Sequence, residues 1–292
     1  MIIVEIGRGL GNAMYVYSAA LALAKHHKTE LKIDASYVNC WPRLEKYGGD
    51  WEYSFGKFNV SAKRATKKEI RQHIFKTNFR LVDKFLRKKK LFQKRVYTHG
   101  TYNPREELFK LPNDIYLWGY FGHPKYFDHI KNDLRHEFEL KDDAKQKILP
   151  LINKLKSEES VAIHVRRGDL IRIGALLLTK EYYAKAVSMI KKKVRNPKFY
   201  VFSDEPEWCK KNFDFDVSIE YIEGNKGYED FELIKSCKHK ILANSALSWW
   251  AGYLSDIKNA IIISPRPFTH WISLAKQAEE IIPRKWIKID VT

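Results

Sequence analysis

Short apolar runs alternate with longer amphipathic segments along almost the whole chain. Runs rich in Ile, Val, Leu and aromatic residues are typical of buried strands, and apolar residues three or four positions apart are typical of helices. This pattern predicts strands at residues 2–6, 31–34, 116–120, 160–165, 199–203, 218–221, 240–243 and 260–264. It predicts helices at residues 13–26, 125–138, 142–156, 180–194, 205–212, 228–235 and 246–254.

Strands that alternate with helices indicate an α/β fold with mostly parallel sheets, because parallel neighbours need a crossover between them. The chain has 292 residues, which is enough for two medium-sized domains. We expect an N-terminal domain over residues 1–145 and a C-terminal domain over residues 146–292.

Residues 61–100 interrupt this alternation with a strongly basic stretch. Fourteen Lys and Arg residues stand there against two acids, Glu69 and Asp83, so the segment carries +12 of the chain's net charge of +18. Apolar residues recur through it at helical spacing, which predicts one or two basic amphipathic helices. Such helices either form a solvated basic face or rest on an anionic membrane surface.

The balance of 53 basic against 35 acidic residues predicts an anionic partner. A basic nucleic-acid-binding protein is one alternative, although no motif of that class occurs and we expect no nucleic acid. The cysteines, Cys40, Cys209 and Cys237, are scattered, which fits a reducing compartment without structural zinc. No signal-peptide pattern and no apolar run of about 20 residues occur, so we expect a cytoplasmic protein, soluble or peripheral on the inner membrane.

The first motif is the glycine-rich sequence GRGLGN at residues 7–12, between a strand and a helix. Glycines at such a turn let backbone N–H groups approach a phosphate. Asp34 ends the next strand, where dinucleotide-binding folds place a ribose ligand. The dinucleotide spacing is not met, because Asn12 or Met14 stands where the third glycine belongs. An NAD-dependent enzyme, a purely structural turn and a loop for another ligand are the alternatives.

The second motif is HVRRGD at residues 164–169, at the end of a predicted strand. Open α/β sheets bind ligands beyond the carboxyl ends of their strands, and arginine suits a phosphate with two hydrogen bonds. Arg166 is two residues after His164 and therefore on the same side of an extended segment. For Arg167 the plain alternative is a surface ion pair with Asp169.

The third motif is ANSALSWW at residues 243–250, where a strand runs into a helix. Asn244 or Ser245 can cap this helix, whose first N–H groups would then present positive potential to an anion. The alternative is an ordinary helix cap with Trp249 and Trp250 in the core.

Three further stretches accompany these motifs: FSDE at 202–205, YEDFELIKSCKHKIL at 228–242 and a closing strand, IIISP, at 261–265. In this order the motifs resemble those of the bacterial α-1,2-fucosyltransferases of glycosyltransferase family 11. The resemblance runs from Gly9 to about Pro267. Ala13 stands where the family usually has Gln. Ala246 stands where the family usually has Thr, and this change removes one possible hydrogen-bond donor to a phosphate.

The resemblance implies two Rossmann-like domains facing a cleft, the GT-B type, with GDP-fucose held by the C-terminal half. It implies an inverting galactoside 2-α-L-fucosyltransferase that moves L-fucose from GDP-β-L-fucose to O2 of a galactose-terminated glycan, in lipopolysaccharide O-antigen synthesis. It places Arg166 on the β-phosphate and Asn12 near the transferred sugar. The other implied site residues are His164 near the nucleoside, Asp230 on guanine, Ser245 on the phosphates, Asp204 and Asn244 in the donor site, and Gly9 and Gly11 in the glycine loop.

Charge grows on the β-phosphate oxygen as GDP leaves, so a preorganised arginine can stabilise the transition state, and we expect no metal or other cofactor. The metal-dependent alternative is the DxD sequence of Asp214 and Asp216. A base is expected to accept the proton of the acceptor hydroxyl. The alternatives for this base are Glu5, Asp34, Glu45, Asp50 and Glu52.

Overall fold

The structure is a computed structural model that describes residues 1–7, 9–36, 54–74, 82, 85, 95–100, 102–104, 106–269 and 271–291. Within these residues the chain forms two parallel sheets covered by helices, which confirms the α/β class. Each sheet follows the strand–helix alternation of the sequence, so the elements that carry the three motifs all end or begin at a sheet edge.

The first sheet contains β1 (Ile2–Glu5), β2 (Leu31–Asp34), β3 (Lys63–Arg64), β4 (Val96–His99) and β5 (Ile115–Gly119), in the spatial order β3-β2-β1-β5-β4. The second contains β6 (Ser160–Val165), β7 (Lys198–Ser203), β8 (Ile219–Ile222), β9 (His239–Ile241), β10 (Ile262–Arg266) and β11 (Ile287–Asp290), in the order β11-β10-β9-β6-β7-β8. All paired strands run parallel. Helices cover both faces of such sheets, so a central strand such as β6 is buried along its whole length.

The helices of the described residues connect these strands. They are α1 (Leu10–His26), α2 (Lys67–His73), α3 (Lys131–Glu137), α4 (Asp142–Gln146), α5 (Leu149–Ser157), α6 (Gly168–Arg172), α7 (Lys180–Lys193), α8 (Pro206–Asn212), α9 (Gly227–Ser236), α10 (Ala246–Leu254) and α11 (Ala275–Glu279). Within the described ranges, no helix is long and apolar enough to cross a bilayer.

Several boundaries differ from the predictions for local reasons. Two short 3-10 segments, Pro124–Tyr126 and Asp128–Ile130, precede α3 in place of one long helix. The predicted helix over 142–156 divides into α4 and α5, because Pro150 has no N–H group and fits only in the first turn of a helix. The IIISP segment is not the last strand, since β11 follows it at the sheet edge.

The described part of the basic segment 61–100 agrees with one or two helices, because α2 lies within it and Val82 and Phe85 are helical. The two ends of the segment form the strands β3 and β4, which the sequence did not predict. α2 is a short helix that begins with a capping box between Thr66 and Glu69. Outside the described residues lie 75–81, 83–84 and 86–94 of this segment, together with Cys40, Glu45, Asp50 and Glu52; the predictions for them stay predictions.

The two halves of the chain meet where α1 packs against α10. The Tyr15 ring of α1 lies 5.1 Å from the ring of Trp249 and 5.0 Å from that of Trp250, both on α10. All three rings are buried. A buried aromatic cluster therefore joins the halves, and the domain boundary between residues 145 and 146 stays a prediction.

Candidate functional site

The HVRRGD sequence lies where β6 ends, at the carboxyl edge of the second sheet. The Nε atom of Arg166 lies 2.9 Å from Oδ1 of Asp169, and its Nη1 lies 3.1 Å from Oδ2 of Asp204. The Arg166 side chain is nevertheless 33% exposed. Two carboxylates thus fix a solvent-accessible cation at the edge where α/β proteins bind ligands.

Arg167 has different partners from Arg166. Its Nε donates to Oε2 of Glu205 at 3.2 Å, and its guanidinium lies 3.6 Å from the centroid of the Trp208 ring. The alternative of an ion pair between Arg167 and Asp169 is therefore wrong. The turn into α6 brings position 169 back toward position 166, since residues three apart are neighbours on a helical turn.

His164 is buried near the end of β6. Its Nδ1 lies 2.7 Å from Oγ of Ser248 on α10, and that oxygen also accepts the N–H of Ala243. Burial, assisted by the nearby charge of Arg166, lowers the pKa of His164 to about 3, so the ring is neutral near pH 7. His164 therefore links β6 to α10, while its predicted place near the nucleoside stays a prediction.

The ANSALSWW sequence brings the start of α10 beside the end of β6, because β6 and β9 are paired neighbours. Ser245 occupies the N-cap position without a side-chain capping bond. Asn244 is buried, and its Nδ2 donates to the carbonyl oxygens of Leu176 at 2.9 Å and Thr269 at 3.5 Å. Ser245 is thus the N-cap residue as predicted, but no side chain bonds to the first N–H groups of α10, which keep the partial positive charge that suits an anion.

The glycine loop reaches the same place from the other half of the chain. Gly9 precedes α1, and a Cβ on Gly11 would lie 2.5 Å from N of Leu247 and 2.6 Å from C of Ala246. The indole N–H of Trp250 donates to the Gly11 carbonyl at 3.0 Å. Gly11 is therefore needed for close helix packing. Asn12 follows it in α1 and is partly exposed, and its predicted place near the transferred sugar stays a prediction.

Asp230 stands in the first turn of α9, which packs along α10. Burial raises the pKa of Asp230 to about 7. A hydrogen bond with the side chain of Asn225 acts to lower this pKa, and the negative charge of Glu229 acts to raise it. Its Oδ1 is buried and has no hydrogen-bond partner among the described residues. A ligand N–H group would satisfy this acceptor, since buried polar atoms are costly when unpaired.

The acids of the first sheet form a separate group. The hydroxyl of Tyr116 lies 2.9 Å from Oε2 of Glu5 and 2.7 Å from Oδ2 of Asp34. Asp34 is fully buried and also accepts the N–H of Ser36 at 2.9 Å. This burial does not suit the exposed ribose ligand of a dinucleotide-binding fold.

The DxD acids lie on the surface. Oδ1 of Asp214 is 2.6 Å from Nζ of Lys180, and Oδ2 of Asp216 is 3.2 Å from Nζ of Lys191, both on α7. Each carboxylate is therefore held by a lysine.

Three residues of this region were given no role by the sequence: Glu205, Trp208 and Ser248. Glu205 and Ser248 lie inside the FSDE and ANSALSWW stretches, but their partners are far away in the chain. Only the pairing of β6 with β7 and β9 brings them to Arg167 and His164.

Comparison with known proteins places these features in a family. The model of the family described as "Glycosyl transferase family 11" matches residues 1–290. An Escherichia coli protein named "Alpha-1,2-colitosyltransferase" is 29% identical over 99% of both chains. The E. coli "O-antigen biosynthesis glycosyltransferase WbnK" is 28% identical over 88% of this chain and 91% of its own. The human "Galactoside alpha-(1,2)-fucosyltransferase 1" is 24% identical over 56% of this chain and 50% of its own.

A solved structure supports the fold. Selenomethionine-labelled fucosyltransferase NodZ from Bradyrhizobium matches with a TM-score of 0.55 at 12% identity, over 90% of this chain and 94% of NodZ. The fold is therefore the α/β GT-B type, with two Rossmann-like sheets facing a cleft. The family match extends over nearly the whole chain and includes all three motifs that converge on the start of α10. The chain belongs to glycosyltransferase family 11.

Proposed function

We propose that the protein transfers L-fucose from GDP-β-L-fucose to O2 of a terminal β-galactoside, with inversion at C1 of fucose. The observation that carries this proposal is Arg166, a partly exposed guanidinium fixed by Asp169 and Asp204 at the carboxyl edge of the second sheet. Family membership supplies glycosyl transfer as the reaction class. The names of the relatives support an α-1,2 linkage and a role in O-antigen synthesis.

In the proposed reaction the acceptor O2 forms a bond to C1 while the bond from C1 to the β-phosphate oxygen breaks. GDP leaves with the electron pair, and the hydroxyl proton passes to a base. Arg166 binds the β-phosphate, where the negative charge grows, and stabilises the transition state more than the ground state. The N-terminus of α10 with Ser245 contributes to the diphosphate site, and Asp230 accepts N–H groups of guanine.

We propose that this chemistry needs no metal ion. Arg166 and the start of α10 supply positive charge to the leaving diphosphate, and lysines hold both DxD acids. Turnover in excess EDTA is expected to equal turnover without it. A loss of activity that Mg²⁺ or Mn²⁺ restores would refute the metal-free reaction.

A second donor is favoured by one observation, the match to an α-1,2-colitosyltransferase over 99% of both chains. Colitose differs from fucose by the absence of the 3-hydroxyl group. A protein that hydrogen-bonds this hydroxyl discriminates against colitose, because the partner of the missing hydroxyl is left unpaired. Comparing kcat/KM for GDP-fucose and GDP-colitose therefore decides which sugar the site accepts.

The decisive experiment is a donor and acceptor panel with analysis of the product linkage by NMR. We expect GDP-fucose and a terminal β-galactoside to give an α-1,2-linked product. A different linkage would overturn the proposed acceptor position. The absence of transfer from every GDP-sugar, with no stabilisation of the protein by saturating GDP, would overturn the donor as well.

A further inference from the structure

The side chain that holds Arg166 from the neighbouring strand is Asp204, which follows β7. Its Oδ1 accepts the N–H of Arg167 at 3.0 Å, and its Oδ2 accepts the N–H of Gly168 at 3.0 Å. The same Oδ2 lies 3.1 Å from Nη1 of Arg166. Both carboxylate oxygens are therefore engaged with three consecutive residues of the HVRRGD loop.

The geometry around Gly168 shows how close this contact is. A Cβ at Gly168 would lie 3.0 Å from Oδ2 of Asp204, so a larger residue would push the carboxylate away from the loop. On the other side, the hydroxyl of Ser203 accepts the N–H of Glu205 at 2.9 Å and closes the turn that carries Asp204. The two loops at the ends of β6 and β7 thus fix one another.

Arg167 strengthens the same connection without reaching Arg166. It is bonded to Glu205 and stacked on Trp208, so its side chain is anchored to the segment that follows β7. The guanidinium of Arg166 pairs with two carboxylates. Asp169 belongs to its own turn, and Asp204 follows the neighbouring strand β7. This arrangement leaves the guanidinium one-third exposed while restricting its rotation.

We infer that Asp204 is a positioning residue that orients Arg166 toward the leaving phosphate, and is not itself a ligand of the sugar nucleotide. A carboxylate beside a diphosphate repels it, so a role in direct phosphate binding is unfavourable. A carboxylate that fixes an arginine in place lowers the cost of aligning that arginine during the reaction. This inference rests on the proposed function, because it takes Arg166 as the residue that binds the β-phosphate.

The test is a double-mutant cycle with Asp204→Asn, Arg166→Ala and the combined variant. Asparagine keeps the size of Asp204 but loses the charge and one acceptor. We expect Asp204→Asn to lower kcat on the order of 10²-fold, as for a misplaced catalytic group, with GDP affinity changed less than about threefold. In the Arg166→Ala background the same substitution is expected to have almost no further effect on kcat, because nothing remains to be oriented.

The matched control is Glu207→Gln on α8, a nearby acid whose Oε1 lies 2.7 Å from Nζ of Lys210. It is expected to keep the wild-type kcat. A ligand role for Asp204 gives the opposite pattern: a higher KM for the donor, weaker GDP binding, and an effect that persists without Arg166. That pattern, or additive effects in the cycle, would overturn the inference.

A readout without turnover separates this inference from the proposed function. The Nη1 group of Arg166, which faces Oδ2 of Asp204, is observed by ¹⁵N NMR and assigned by its absence in the Arg166→Ala variant. We expect its signal to be slowly exchanging in the wild type and in Glu207→Gln, and broadened or fast-exchanging in Asp204→Asn. An unchanged signal in Asp204→Asn refutes the positioning role whatever the donor is, while a missing transfer activity refutes only the proposed function.

Discussion

The substitution Gly11→Ala tests how the two halves of the protein are joined. The added Cβ would lie 2.5 Å from N of Leu247 and 2.6 Å from C of Ala246, and both are backbone atoms of α10 that have no rotamer to change. Ordinary contact begins near 3.4 Å, so α1 and α10 must separate by about 1 Å. The hydrogen bond from Trp250 to the Gly11 carbonyl, 3.0 Å long, does not survive that shift.

The size of the effect follows from three contributions. Overpacking costs about 1–3 kcal/mol, and a buried hydrogen bond left unmade costs about 1–3 kcal/mol. Replacing glycine by alanine inside a helix stabilises the folded protein by about 0.5–1 kcal/mol, which offsets part of this loss. We therefore expect Gly11→Ala to lower the free energy of unfolding by about 2–4 kcal/mol, which corresponds to a fall in Tm of roughly 4–10 °C.

Thermal and urea unfolding, followed by circular dichroism, measure this loss. The matched control is Gly227→Ala at the start of α9, where an added Cβ would meet no atom within 4 Å. That variant is expected to be as stable as the wild type or slightly more stable, because alanine restricts the unfolded chain. If Gly11→Ala unfolds at the temperature of the wild type and of Gly227→Ala, close packing of the glycine loop against α10 is not what joins the halves.

Three further predictions concern the site and its support. Arg166→Ala should lower kcat 10²- to 10³-fold, about 2.7–4 kcal/mol of barrier, at unchanged Tm; a loss below tenfold in steady-state assays would contradict its role. Burial raises the folded-state pKa of Asp230 to about 7, above the unfolded value, so the stability that its proton provides is lost as pH rises from about 4 through 7. Relative to the wild type, Asp230→Asn should therefore gain stability between pH 4 and pH 8 in urea titrations; a constant difference would exclude the raised pKa. Tyr17→Phe removes a 2.6 Å bond to the buried carboxylate of Glu137 and should lower the unfolding free energy by about 1.5–3 kcal/mol, with an unchanged urea midpoint as the contrary result.

The close approach at Gly11 also relates the two motifs that the sequence treats separately. GLGN and ANSALSWW lie more than two hundred residues apart, yet the Trp250 indole bonds to the Gly11 carbonyl. The Ala246 Cβ is itself among the nearest atoms, 2.8 Å from the Cβ position of Gly11. The departure from Thr to Ala at this position therefore lies at the contact between the halves and in the first turn of α10, which we propose contributes to the diphosphate site.

Most of the second half was predictable from local pattern, because its strands are short apolar runs bounded by polar turns. The sequence predicted β6 and α10 with their observed bounds, and β7, α7 and α9 within one or two residues. The first half was less predictable in places where local pattern and packing disagree. α1 begins before its predicted start because packing against α10 holds Gly11 and Asn12 in a helix despite their low helix propensity.

The sequence alone also determined the chemistry available at the site: an arginine after β6, a helix N-terminus after β9, and glycines before α1. The sequence alone did not determine which side chains form hydrogen bonds and ion pairs with one another, because these pairings depend on which strands become neighbours. His164 bonds to Ser248, Asp169 pairs with Arg166 instead of Arg167, and Asn244 ties two loops instead of capping α10. Tertiary structure decided these contacts. The parallel order of β9, β6 and β7 brings three separate loops to one edge of the sheet, where their polar groups form hydrogen bonds and ion pairs with one another.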